Sequence, residues 1–348
     1  MKRIQIDRNS DYDFLRFVGI ACIILAHVGA NGVIFQIRNF DVPLMVLVSG
    51  ISFFKYSSQS YSAYTTYLTS RFLRIVIPAW IFLIIYNAAV FFYLHRLPSF
   101  KDVLLQITLT GGTDIGVWII RIFFTMAVIA PLVYRLNLNM KNDAVFTILA
   151  VCSWIVYELS VQKAKAFLPN NTYVLFQVII FYTYSYGLVL MYGMRLSSMS
   201  ANQIKTHIVI FALLFAVLAI WNLYSYSKIL PTQQFKYPPL LYYMSYAIFA
   251  SLTVFYLTVY TNVFNLVKGN ALVQYIGKST MWIYLWHWLC LKLYRVLNLD
   301  LFPIGKYFFV FSLAALIAYI QFQSILWLQK RLDLDSKRFR YISRIFIG

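Results

Sequence analysis

Apolar residues run along this chain in long blocks separated by short polar connections. The blocks cover about 13–31, 40–55, 74–94, 116–135, 144–160, 173–194, 206–225, 240–261, 279–296 and 306–329. One helical crossing of a bilayer takes about 20 apolar residues, and most of these blocks meet that length. The second is short and holds Pro43 near its start, a position where the first turn of a helix tolerates proline. The pattern predicts an all-α, polytopic membrane protein with about ten transmembrane helices. Neither an internal repeat nor a low-complexity linker is visible, so residues 1–348 read as a single transmembrane domain with a basic tail at 330–348. In that tail, Lys and Arg alternate with Phe339, Tyr341, Ile342, Ile345 and Phe346. Such a segment lies on an anionic leaflet or stays solvated.

Composition supports the membrane reading. At 61% hydrophobic and 12% charged, the chain has more apolar surface than a soluble fold can hide. A net charge of +19 raises nucleic acid as a partner, but the cations sit in short loops between apolar blocks. That is the pattern of topology signals, and no nucleic-acid partner is expected. With both termini cytoplasmic, 18 of the 30 Lys and Arg residues fall on the inner side and 10 outside. This bias, and an even number of crossings, place both ends in the cytoplasm. The start of the chain lacks the short apolar region and small-residue cleavage site of a signal peptide, so the first block is expected to be a retained crossing. Cys22, Cys152 and Cys290 are far apart within apolar blocks and form neither a metal site nor a disulfide framework.

Ionisable groups inside apolar blocks are costly, which makes each a functional candidate. The first block holds Arg16 and His27, eleven positions apart. At 100° per residue they share a face to within about 20°, about 16 Å apart along the axis. An extended ligand along that face could set an anionic group at Arg16 and a reactive end at His27. The alternative is that Arg16 snorkels to lipid phosphates while His27 bonds a backbone carbonyl. Asp13 stands one turn before Arg16 and can orient it. Arg71 and Arg74 are also one turn apart, at the expected start of the third helix, and form a fork suited to phosphates or a positive-inside anchor.

Four ordered segments carry a resemblance. They are Asp13-Phe-Leu-Arg16 followed by His27, Pro43-Leu-Met-Val-Leu-Val-Ser49-Gly50, Arg71-Phe-Leu-Arg74-Ile-Val-Ile-Pro78, and Ser279-Thr-Met-Trp-Ile-Tyr284-Leu-Trp-His287. In this order they resemble the acyltransferase 3 family, in its stand-alone form without an appended esterase-like domain. The chain departs from the family pattern at Met45, Val46 and Leu47, where phenylalanines are usual.

The resemblance implies a bacterial enzyme of the cytoplasmic (inner) membrane that O-acylates carbohydrate. It implies cytoplasmic acetyl-CoA as donor substrate, no permanently bound cofactor, and an acceptor that is a surface polysaccharide or lipid-linked sugar. It also implies His27 and Arg16 as essential residues, Arg71 and Arg74 as holders of the CoA phosphates, and Pro43, Ser49 and Gly50 as a structural motif. A neutral imidazole in a desolvated helix can take the proton of a sugar hydroxyl or carry the acyl group itself; both routes stay open. His287 is a further candidate for the same cavity, against a packing role, and Arg121 for an acceptor anion, against snorkelling. Lys236, Tyr242 and Tyr243, beside Pro238 and Pro239, suit sugar stacking, or form an ordinary interfacial belt. Asp41 and Glu158 read as loop-edge residues. A transporter or flippase of a lipid-linked sugar is the rival reading, and it requires inverted repeats and broken midplane helices.

Overall fold

The computed structural model describes residues 9–29, 32–57, 64–95, 97–111, 115–140, 142–332 and 336–347. Lys2, Arg3, Arg8, Arg96 and Lys141, all counted above for orientation, lie outside them. In chain order the α-helices are α1 (Ser10–His27), α2 (Gly32–Ile37), α3 (Asp41–Ser52), α4 (Tyr64–Leu94), α5 (Phe100–Ile107), α6 (Trp118–Asn139), α7 (Asp143–Phe167) and α8 (Asn170–Phe176). They continue with α9 (Tyr182–Leu196), α10 (Ala201–Tyr226), α11 (Leu241–Tyr260), α12 (Asn265–Lys268), α13 (Ala271–Lys278), α14 (Thr280–Val296), α15 (Pro303–Arg331) and α16 (Ser336–Phe346). A π-turn at Gln177–Phe181 joins α8 to α9. No β-strand occurs among the described residues.

Every apolar block contains a helix, and the fold is that of a polytopic membrane protein. Among the described residues, eight spans are long and apolar enough to cross a membrane, against about ten expected. The two remaining long helices depart for clear reasons: α1 carries Asp11, Asp13 and Arg16 within 18 residues, and α14 is 17 residues long with Lys292 and Arg295 near its end. Leu213, Val217 and Ile220 on α10, and Ile84 and Phe92 on α4, are exposed, as the lipid face of a spanning helix requires.

Helix boundaries follow local chemistry more than block length. α1 opens on Asn9, whose side chain accepts the Asp11 N–H at 2.8 Å, a standard N-cap. It ends at His27, earlier than the apolar block, because Gly29 turns the chain at φ 83°. α4 starts about ten residues before its apolar stretch, so Arg71 and Arg74 lie two turns inside the helix instead of at its start. A polar helical turn costs little outside the hydrocarbon layer, where water satisfies its side chains. Pro43 is the third residue of α3, where no intrahelical N–H bond is lost.

The core forms around α1, which packs on α3, α11, α13, α14 and α15. Close approach depends on glycine. A Cβ at Gly50 of α3 would strike the Leu190 carbonyl of α9, and one at Gly193 of α9 would strike the Leu47 carbonyl of α3. The two backbones therefore touch, as small residues allow in membrane bundles. Likewise Gly277 of α13 abuts the Asp13 backbone. The basic tail forms α16 and docks on α4 and α15. Phe346 stacks on Trp282 at 5.8 Å, and the Ile345 carbonyl accepts the Trp282 indole N–H at 2.9 Å.

Candidate active site

One face of α1 organises the site. Arg16, Ile20 and Ile23 line a cavity of about 210 Å³, and His27 is the next residue on that face. Arg16 Nη1 donates to Asp13 Oδ1 at 2.7 Å and Nη2 to Ser52 Oγ at 2.7 Å. Asp13 is fully buried, so the pair fixes the guanidinium where α1 meets the end of α3. Arg71 and Arg74 from α4 line the same cavity, and Arg71 lies over the Tyr67 ring at 5.2 Å. Arginines from two helices distant in sequence, Arg16 on one and Arg71 and Arg74 on the other, thus converge on one space. Its remaining lining is hydroxyl-bearing (Ser49, Ser52, Tyr67, Thr280, Tyr284) or apolar. Ser49 donates to the Met45 carbonyl at 2.8 Å, and Gly50 makes the adjoining helix contact.

His27 is not in the cavity lining. Two lining residues connect the cavity to it, Ile23 directly and Tyr284 through His287. Ile23 lines the cavity, and its carbonyl accepts from His27 Nδ1 at 2.8 Å. Tyr284 also lines it, and its ring is 5.2 Å from that of His287, which in turn is 5.3 Å from His27. Trp288 closes over His27 at 4.5 Å. The Tyr284 hydroxyl donates to the Gly116 carbonyl at 2.5 Å and ties α14 to the turn before α6. A carbonyl can only accept, so the Nδ1 of each histidine carries its proton: His27 toward Ile23 and His287 toward Tyr284. That leaves Nε2 as the ring nitrogen of His27 with a lone pair. His287 is fully buried, and its Nε2 has no partner among the described residues.

The loop residues named from sequence lie elsewhere. Lys236 is buried, and its Nζ donates to Asn39 Oδ1 and Asp41 Oδ1, both at 3.0 Å. Arg38 Nη1 donates to Asp41 Oδ2 at 2.7 Å. Desolvation holds the Lys236 ammonium below the usual lysine range, and Asp41 opposes that shift. Tyr243 is buried beneath Lys236, 5.7 Å from its Nζ. Tyr242 donates to the Leu230 carbonyl at 3.1 Å and stacks on Phe215. Asp41 is therefore the centre of a buried ion cluster, not a loop-edge residue. Glu158 also differs from that expectation, since it accepts the Leu241 N–H at 3.0 Å and caps the start of α11.

Sequence assigns no role to Ser52 or Trp288, and Tyr284 enters it only as a residue of the fourth motif. Ser52 lies one turn beyond Ser49, a signal that was present, whereas Tyr284 and Trp288 gain meaning only from the packing of α14 on α1. Among the described residues, no group of three or more His, Cys, Asp or Glu side chains gathers as a metal site would require.

No curated protein and no solved structure matches the chain. A sequence model of a family of acyltransferase domains, acyltransferase 3, matches residues 9–322. That match takes in the arginine-lined cavity, the two histidines and every long helix except the last turns of α15, and the chain belongs to the acyltransferase 3 family of membrane acyltransferases.

Proposed function

We propose that the protein is an O-acyltransferase of the bacterial inner membrane that moves acetyl from acetyl-CoA to a sugar hydroxyl. The acceptor in this reading is a surface polysaccharide or a lipid-linked saccharide. The observation that carries it is the convergence of Arg16, Arg71 and Arg74 on one cavity that is also lined by Ile23, bonded to His27, and by Tyr284, packed on His287 beside His27. Guanidiniums at one end suit the phosphates of CoA. A space of about 210 Å³ with apolar walls suits a slender thioester-bearing arm, and the bulk of the donor would stay outside.

With both termini cytoplasmic, the arginines lie toward the donor's compartment and His27 toward the outer half. His27 Nε2 takes the proton of the acceptor hydroxyl as its oxygen attacks the thioester carbonyl. The C–S bond then breaks, and the thiolate leaves with the proton from the imidazolium. In the relay version, Nε2 attacks the thioester, CoA thiol departs, and the acyl-imidazole is opened by the sugar hydroxyl. The relay needs no large molecule to cross between faces. Membership of an acyltransferase family favours transfer over the transport alternative.

The test is transfer of radiolabelled acetyl from acetyl-CoA into glycan, in membranes carrying wild type or His27→Ala. Label that depends on His27 supports the reading. Equal label in both would end the assignment of His27.

A further inference from the structure

Arg121 sits one turn into α6, and its Nε and Nη1 are buried with no hydrogen-bond partner among the described residues. A snorkelling arginine carries its head group out to water or lipid phosphate, and these two nitrogens are enclosed in protein. The contact found for it is the face of Tyr182, 5.8 Å from Cζ. Three other arginines of the bundle are paired with acids: Arg16 with Asp13, Arg38 with Asp41 and Arg195 with Asp143. A guanidinium cannot lose its proton in a protein. Arg121 is half-buried, and a permanent charge with two enclosed nitrogens and no counter-ion among the described residues is costly, so an anion is the missing component.

The surroundings are aromatic. Trp118, one turn before Arg121, packs 5.9 Å from Tyr182 and 5.4 Å from Tyr237. Aromatic faces of this kind stack on the apolar faces of sugar rings. The same turn leads back to the acyl-transfer centre, because Gly116 accepts the Tyr284 hydroxyl and its Cα faces Trp288, the residue that covers His27.

We propose that Arg121 is the anion-binding subsite of the acceptor, and that the acceptor is therefore an anionic saccharide bearing a carboxylate or phosphate. The aromatic wall of Trp118, Tyr182 and Tyr237 holds its ring, and the guanidinium holds its charged group. This rests on the acyl-transfer reading above. A lipid headgroup phosphate offers the same chemistry to Arg121 and is separated from the acceptor by experiment.

The full chain is purified in a phosphate-free maltoside detergent as wild type, Arg121→Lys and Arg121→Gln, with CoA added to fill the arginine-lined cavity. Binding of glucuronate, glucose 1-phosphate, inorganic pyrophosphate and glucose is followed by tryptophan fluorescence, with short-chain phosphatidylglycerol as a separate arm. At least one sugar anion should bind wild type about tenfold tighter than glucose, one decade being about 1.4 kcal/mol. Arg121→Gln should erase that difference and Arg121→Lys retain part of it. Sugar anions that bind no tighter than glucose, or equally to all three proteins, overturn the subsite. A dependence on Arg121 seen only with phosphatidylglycerol also overturns it and assigns the guanidinium to a lipid. Acetyl-CoA binding by the same three proteins, measured before any CoA is added, separates the two levels. If wild type does not bind acetyl-CoA, the acyl-transfer reading itself fails.

Discussion

The rings of His27 and His287 stand 5.3 Å apart, centroid to centroid, one on α1 and one on α14. Each is oriented the same way, with Nδ1 donating to a carbonyl about one turn back, that of Ile23 or Tyr284. A side chain tied to its own helix in this manner keeps its ring direction while the other nitrogen stays available. His27→Ala should lower acetyl transfer by about 10²–10⁴-fold, the usual contribution of a positioned base, with acetyl-CoA affinity little changed. His287→Ala should cost less if its ring only shapes the pocket around His27. Single-turnover transfer measured beside donor binding checks both. A loss in His287→Ala equal to that in His27→Ala would make the two imidazoles one functional unit.

Arg71 and Arg74 line the same cavity as Arg16 but come from a different helix. If they hold CoA phosphates, Arg71→Ala and Arg74→Ala should each weaken acetyl-CoA binding by about 10–100-fold, the range for one lost charge-assisted hydrogen bond. Acceptor KM should move far less. Calorimetric titration of CoA into the detergent-solubilised variants is the direct measurement. Unchanged affinity would reduce both residues to topology anchors.

Much of this arrangement can be read along the chain where its cause is local. The face that joins Arg16, Ile20, Ile23 and His27 follows from helical periodicity, and Asp13 reaches Arg16 across one turn. The meeting of Ile23 and Tyr284 on one cavity does not, because it arises only once α14 packs on α1. Asp41 was out of reach for a related reason: its ammonium partner, Lys236, is 195 residues away. Helix starts were missed where chemistry continues past the apolar block. The first two turns of α4 are polar, so an apolar-length rule begins the helix at Arg74 when it begins at Tyr64. The tail shows the opposite limit, since its alternation of cations and apolar residues gave the amphipathic character of α16 but not its docking on Trp282.

The backbone contact between α3 and α9 gives a sharp packing test. Gly193→Ala adds a methyl group against the Leu47 backbone, and neither partner is a flexible side chain that could move aside. The helices must separate, at a cost of about 1–3 kcal/mol or more. Gly32→Ala serves as the control, because a Cβ there meets nothing within 4 Å, and it should stay within about 0.5 kcal/mol. Thermal unfolding of the two variants in one detergent compares them. A Gly193→Ala midpoint equal to wild type would mean the helices are less tightly apposed than their backbones indicate.

The buried cluster of Arg38, Asp41 and Lys236 predicts an asymmetry between two substitutions. Asp41 is the one carboxylate between two cations, with Oδ2 bound to Arg38 and Oδ1 bound to Lys236 and the Val42 N–H. All three side chains are buried. Asp41→Asn keeps the shape but leaves two cations facing each other without a counter-charge, and breaking a buried pair in this way costs about 3–5 kcal/mol. Lys236→Met keeps a stem of similar length and leaves Arg38 and Asp41 as a neutral pair. Its cost is the ammonium hydrogen bonds, chiefly the one to Asn39, at about 1–3 kcal/mol. Asp41→Asn should therefore unfold at the lower temperature, and Lys236→Met should stay the more stable of the two across detergents. If acetyl transfer falls in Lys236→Met while its unfolding midpoint holds, the ammonium acts on the acceptor as well as on Asp41. If both variants unfold alike, the cluster's stability does not depend on its charge balance.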